Sequence, residues 1–367
     1  MRSVLINSMV VLISVVFFCC IAELGLRLAP VDDGLRAQPV NAENPVFHFR
    51  PNRELTWSRG PTFDLVNRIR INNVGFVNDQ DYTLDDPRPL LAVVGDSQVE
   101  AAMVPYADTL HGRLANKLDS RVYSFAASGA PLSQYVVWAK HAREKWGAAF
   151  LVVVVIGNDF DESLMVYKQG PGFHHYVEDG ADDLVLERVD YKPNPLRVLV
   201  RQSALARYLF FNVQIQQRLQ RLKGLFVGPA FADEPRFAGN TNVSTEKRRV
   251  DLSKAAVDAF LRDLQTVAGW DPANVVFVLD GFRYRDRADI HSQSYFGVMR
   301  TYFMDEAEQK GFKSVDMDRS FFPDFELNNR PFEYPTDGHW NGYAHGLVEA
   351  AIRPHVPDAL LSDRAGD

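Results

Sequence analysis

Apolar and polar positions divide this chain into unlike segments. Residues 4–22 carry no charge, and only Asn7, Ser8 and Ser14 interrupt their apolar run. As a helix this run spans about 28 Å, close to the apolar thickness of a bilayer. Further along, five short segments read as strands: 90–94, 122–125, 150–156, 275–279 and 312–315. The third is almost wholly β-branched, as a central parallel strand should be. Between and after them lie segments with helical spacing, at 109–118, 133–146, 252–267, 295–310 and 343–352. Strands alternating with helices predict an α/β fold with a doubly wound parallel sheet.

Residues 162–250 break this alternation and are too long for a simple connection. They are expected to form a helical insertion, or cap, within a core domain made of 51–161 and 251–360. The clearest helix signal runs over 203–226, where Tyr208, Phe211, Ile215, Leu219, Leu222 and Phe226 recur every three or four residues. It reads as a cap helix packed over the sheet, with an interfacial membrane helix as the alternative, because Arg207, Arg218, Arg221 and Lys223 lie elsewhere on it. Residues 228–250 are polar and read as a loop. Residues 30–50, punctuated by Pro30, Gly34, Pro39 and Pro45, read as a linker, and 51–82 as a β-rich lead-in. Residues 1–29 are a transmembrane anchor or a signal segment.

Composition narrows the classes. A chain of 367 residues with 46% hydrophobic positions can bury a large core, and a formal net charge of -7 argues against nucleic acid as a partner. Cys19 and Cys20 both fall in the N-terminal run, so no disulfide framework or thiolate metal site is expected. The charges flanking that run do not decide orientation; a single-pass membrane protein with its large domain facing the periplasm or exterior is the expectation.

The chemistry resides in four short blocks. Gly95-Asp96-Ser97 follows the first core strand, Ser128-Gly129 the second and Gly157-Asn158-Asp159 the third; Asp337-Gly338-His339 lies near the end. Loops at the carboxyl ends of such strands are where open α/β sheets hold their sites. Ser97 suits a nucleophile, although serine also caps helices. The Gly129 N–H and the Asn158 amide can donate to a developing oxyanion. His339 suits a base. Asp337, two residues away in an extended segment, points to the same side and can orient its ring. Asp96 is expected to order the strand-to-helix turn. His345 is a weaker rival base within a helix start. Asp159, Asp161 and Glu162 read as a solvated helix start, and His174-His175 as a surface pair, rather than metal ligands. Arg283 and Arg285 could bind an anionic substrate. No cofactor and no metal are expected.

Ser97, Gly129, Asn158 and His339 match in order the four signature residues of the GDSL/SGNH hydrolases, and the chain resembles that family over roughly residues 68–355. Ile71-Asn72-Asn73-Val74-Gly75-Phe76 resembles the lead-in of its membrane-anchored bacterial members. The resemblance implies a flavodoxin-like sheet, ester chemistry without metal, and an oxyanion hole from the Ser97 and Gly129 N–H groups and the Asn158 side chain. Two departures stand out: Gln98 replaces the leucine of the first block, and one residue rather than two separates Asp337 from His339. The shorter spacing resembles polysaccharide O-acetyltransferases of the alginate type. The expected function is a serine esterase acting on an O-acyl, notably acetyl, ester of an envelope or extracellular carbohydrate. The alternatives are an O-acetyltransferase using the same acyl-serine, a lipid esterase, and a non-catalytic carbohydrate-binding or envelope-assembly module. The expected partners are the acylated carbohydrate, the membrane through residues 4–22, and envelope polysaccharide machinery.

Overall fold

The computed structural model describes residues 2–118, 120–180, 183–215, 218–219 and 237–360. Helix α1 (Arg2–Leu26) comes first, then strands β1 (Arg53–Arg59) and β2 (Leu65–Ile71). Strand β3 (Leu90–Gly95), the turn α2 (Ser97–Glu100), α3 (Leu110–Lys117), β4 (Arg121–Ala126), α4 (Leu132–Trp146), β5 (Ala148–Val155) and the turn α5 (Asp159–Glu162) follow. The middle of the chain holds strands β6 (His174–Asp179) and β7 (Asp183–Arg188), short helices α6 (Pro195–Val200) and α7 (Ala204–Arg207), and two-residue strands β8 (Phe237–Ala238) and β9 (Thr241–Asn242). The last part is α8 (Lys247–Thr266), β10 (Val275–Leu279), α9 (Arg285–His291), α10 (Tyr295–Gln309), β11 (Lys313–Asp316), α11 (Asp318–Asn328), β12 (Glu333–Tyr334), β13 (Asp337–Trp340) and α12 (Gly342–Ile352).

The chain divides into two units. The larger holds a five-stranded sheet in the order β11-β10-β5-β3-β4, with every neighbouring pair parallel. Counted along the chain these strands lie in the order 2-1-3-4-5, the doubly wound flavodoxin-like arrangement, whose strand order reverses beside the first strand. Alternate residues face opposite sides. Val93, Val152 and Val276 pack with Leu110, Leu114, Trp340 and Val348 on one face. On the other, Phe277 packs against Phe260 of α8 and Phe303 of α10, with ring centroids 5.9 and 5.0 Å away. Each such fully buried side chain is worth about 1.5–3 kcal/mol of transfer free energy.

The smaller unit contains α1, the β1–β2 sheet, α6 and α7. By length and composition α1 can cross a membrane: within Ser3–Leu26 an 18-residue stretch has a mean hydropathy of 2.8 and no buried residue.

Several sequence expectations change. Residues 37–49 are an ordered part of the larger unit rather than a linker. Ala37 bridges to Phe49, Val40 to Tyr191, and Phe47 and Phe49 are buried, with Phe47 packed on Phe173. Aromatic side chains, not the proline spacing, decide this stretch. The insertion is not simply helical, because its first half contains the β6–β7 hairpin, with His175, Tyr176 and Leu184 buried. The helix expected over 203–226 starts at Ala204, widens into a π-helical turn at Tyr208–Asn212 and breaks at Gln214, whose φ is 54°. Asn212 is drawn into buried bonds instead: it donates to Ser58 Oγ at 2.8 Å and accepts the Asp32 N–H at 3.3 Å. Leu222 and Phe226 lie outside the described residues. Within 228–250, the described part forms β8, β9 and the start of α8.

Candidate functional site

The loops after β3, β4 and β5 gather at one sheet edge because these three strands are neighbours. Ser97 opens the turn α2 directly after β3, and Asp96 caps that turn by accepting the Gln98 N–H at 2.9 Å. Gly129 follows β4 with φ at 78°, the left-handed region where glycine has no steric penalty. Asn158 follows β5. A Cβ on the preceding Gly157 would collide with the Gly239 carbonyl, so the β8–β9 turn can lie directly over this block only if residue 157 is glycine. His339 is held on β13, which pairs with β12.

Asp337 and His339 meet as the period-two spacing predicts. His339 Nδ1 is hydrogen-bonded to Asp337 Oδ1, which also accepts the His339 backbone N–H at 3.0 Å. The Asp337 side chain is only 5% exposed. Gln98 ties this strand to the Ser97 turn, because its Oε1 accepts the Trp340 N–H at 2.9 Å. The Ser97 hydroxyl donates to Asp96 Oδ2 at 2.9 Å rather than to His339. A Ser97–His339 bond therefore requires rotation of the serine side chain; catalytic hydrogen bonds are often unformed before substrate binds.

Asn158 is oriented from both ends. Its Oδ1 accepts from Asn240 Nδ2 at 2.9 Å, and its Nδ2 donates to Glu162 Oε2 at 2.9 Å. An amide nitrogen has two N–H donors, so the second stays available. Glu162 also pairs with Lys168, whose Nζ donates to the Gly129 carbonyl at 3.0 Å. The Gly129 N–H donates to no other described group. Glu100, buried three residues after Ser97, accepts both the Ser128 N–H (2.8 Å) and Ser128 Oγ (2.7 Å), with burial pushing its carboxyl up to about 7. Burial also raises the Asp96 carboxyl. Glu100, Glu162, Lys168 and Asn240 thus hold the site residues; Glu162 read in the sequence only as part of a solvated helix start, and the other three did not stand out there.

Other sequence candidates lie differently. His345 is fully buried, its Nδ1 accepts the Leu110 N–H at 3.1 Å, and desolvation pushes it down to about 3, so it stays neutral. Arg283 is not free for an anionic substrate. It binds both oxygens of Asp280 (3.1 and 2.6 Å), reaches Glu333 at 3.4 Å and donates to the Gly338 carbonyl at 2.6 Å. These bonds hold its left-handed backbone, φ 69°, uncommon outside glycine. Arg285 pairs with Glu326 at the surface. The acidic helix start is not solvated, because Asp159 is buried, accepting from Tyr135 Oη at 3.0 Å and the Ile156 N–H at 2.9 Å, and Asp161 pairs with Arg249. His175 is likewise buried rather than a surface residue, accepting the Gly170 N–H at 2.9 Å, while His174 meets Gln134. Among the described residues no cluster of three or more His, Cys, Asp or Glu is arranged to hold a metal.

A cavity of about 470 Å³ opens beside His339, lined also by Gln98, Asn240, Phe282, Ile290 and Glu333.

No family model and no curated protein matches the chain. Among solved structures, TesA is similar at 12% identity and a TM-score of 0.37, over 74% of this chain and 99% of that one. A lipolytic G-D-S-L family protein from Veillonella parvula has 11% identity and a TM-score of 0.37, over 72% and 96%. The lipase/acylhydrolase from Enterococcus faecalis has 11% and 0.37, over 76% and 100%. Likenesses this slight bear on neither substrate nor mechanism, and the architecture above rests on strand order and register.

Proposed function

We propose that this chain is a serine esterase of the SGNH type, anchored in a membrane by α1, with its catalytic unit facing the periplasm or exterior. The observation that carries the reading is the Asp337–His339 pair, tied through Gln98 to the turn that bears Ser97. In the reaction, His339 removes the Ser97 proton as Oγ attacks the ester carbonyl. Asp337 fixes the tautomer and stabilises the imidazolium. The tetrahedral oxyanion accepts from the Ser97 and Gly129 N–H groups and from the second N–H of Asn158. His339 then returns the proton to the leaving alkoxide. Water, activated by the same histidine, attacks the acyl-serine and releases the acid.

The substrate of this reading is a short O-acyl ester, notably acetyl, on an envelope or extracellular carbohydrate. Discharge to a sugar hydroxyl instead of water would make the same site an O-acetyltransferase, and the single residue between Asp337 and His339 supports testing it.

The test is fluorophosphonate labelling of the full chain in detergent. Labelling lost in both Ser97→Ala and His339→Ala is the expected result. A folded protein that does not label would overturn the reading and favour a binding module. Adding a carbohydrate acceptor then separates the two chemistries, because it accelerates acyl-donor consumption only for a transferase.

A further inference from the structure

We infer that the cavity beside His339 is the subsite for the alcohol part of the ester, and that it takes an uncharged sugar residue in preference to an anionic sugar or a fatty alcohol. The inference rests on the reading of His339 as the base, since the group that protonates the leaving alkoxide must lie against the alcohol.

The position of the cavity follows from its walls. His339 and Gly338 form one side. Asn240 forms part of another, and the same side chain donates to Asn158 at 2.9 Å. The space therefore lies between the base and the side chain that holds the oxyanion amide, where the alkoxy side of a bound ester would project. Its volume, about 470 Å³, is within the common range of ligand sites, roughly 300–1,000 Å³.

The chemistry of the walls selects the ligand. Two carboxylates, Asp280 and Glu333, and two guanidinium groups, Arg283 and Arg287, line the cavity. All four are matched: Arg283 with Asp280 at 2.6 Å, and Glu333 with Arg287 at 2.9 Å and Arg283 at 3.4 Å. Among the described residues these four charges balance, so none of them offers a carboxylate or an ammonium ligand an uncompensated partner. What remains is a polar rim from Gln98, Asn240 and His291, with Phe282 and Ile290 supplying apolar surface. Hydroxyl groups beside an apolar wall match a sugar ring, whose edge is polar and whose C–H face is not. A long alkyl chain would instead lie against paired charges and amides.

Ile290 is 70% exposed at the cavity mouth, so Ile290→Trp narrows the space without disturbing a packed core. The full chain in detergent is assayed on three probes: p-nitrophenyl acetate, a neutral acetylated xylo-oligosaccharide and an acetylated oligogalacturonate. The neutral oligosaccharide should be the better sugar substrate. With it, Ile290→Trp should raise KM about tenfold or more, as expected when contacts shared by ground and transition states are lost. The KM for p-nitrophenyl acetate, whose alcohol part is one small planar ring, should rise by a smaller factor than that for the oligosaccharide. Equal effects on all probes, no effect on any, or a preference for the galacturonate would overturn the subsite. Loss of p-nitrophenyl acetate hydrolysis in Ser97→Ala separates these outcomes from the larger reading, because only its survival there contradicts the serine mechanism.

Discussion

Replacing Asn240 with alanine tests whether the Asn158 amide is a preorganised donor. The Asn240 side chain holds Asn158 Oδ1 at 2.9 Å, while Glu162 holds one N–H of the same amide. Removing Asn240 leaves the amide tethered at one end only. Two magnitudes bracket the effect. A single neutral hydrogen bond contributes about 0.5–1.5 kcal/mol net. At about 1.4 kcal/mol per factor of ten, that is roughly two- to tenfold in kcat. The upper limit is complete loss of the donor, about 10²–10³ in rate, which Asn158→Ala should reach. The assay is kcat and KM for p-nitrophenyl acetate, chosen because Asn240 also faces the cavity and this alcohol carries none of a sugar's hydroxyl groups for it to bind. The reasoning predicts a lower kcat, an unchanged KM, and a double variant Asn158→Ala/Asn240→Ala no slower than Asn158→Ala alone. Fully additive losses would show that Asn240 acts independently of Asn158, and a change confined to KM would show that it never positioned a transition-state donor.

Asp337→Asn should lower kcat on the order of 10⁴-fold with little change in folding, because the amide favours the wrong histidine tautomer; a loss under tenfold would remove Asp337 from the mechanism. Glu100 gives a stability test. Its carboxyl is held up at about 7 in the folded chain against an ordinary 4.5, so the folded state binds its proton more tightly than the unfolded state. The stability from that proton is complete below about 4.5 and is lost as pH rises through about 7, a change of about 3 kcal/mol. Denaturant unfolding between these pH values should therefore show a decline that Glu100→Gln removes, and an identical profile for the two proteins would contradict it. Arg283→Ala leaves Asp280 and Glu333 short of their buried partner and should cost about 3–5 kcal/mol in chemical unfolding. An Arg283→Ala protein of native stability would show that the pairing is not structural.

The parts of this protein that can be read locally are those whose physics is local. Strands β3, β5 and β10 announce themselves because a parallel strand covered on both faces must be apolar, and these three, inside the sheet, are almost wholly so. Asp337 and His339 are legible together because two residues of extended chain bring their side chains to one side. What could not be read depends on partners far along the chain. Asn240 is 82 residues from Asn158, and a lone asparagine in a polar stretch has no spacing that betrays its partner. Arg283 looked like an available cation because its neutralisers include Glu333, 50 residues on. The buried Asp159 and His175 were misjudged for the same reason: polarity predicts exposure only until a buried Tyr135 or the Gly170 N–H supplies the missing hydrogen bond. The sugar subsite follows the same logic. Every charged wall group is common on surfaces, and only their mutual pairing around one space makes that space neutral.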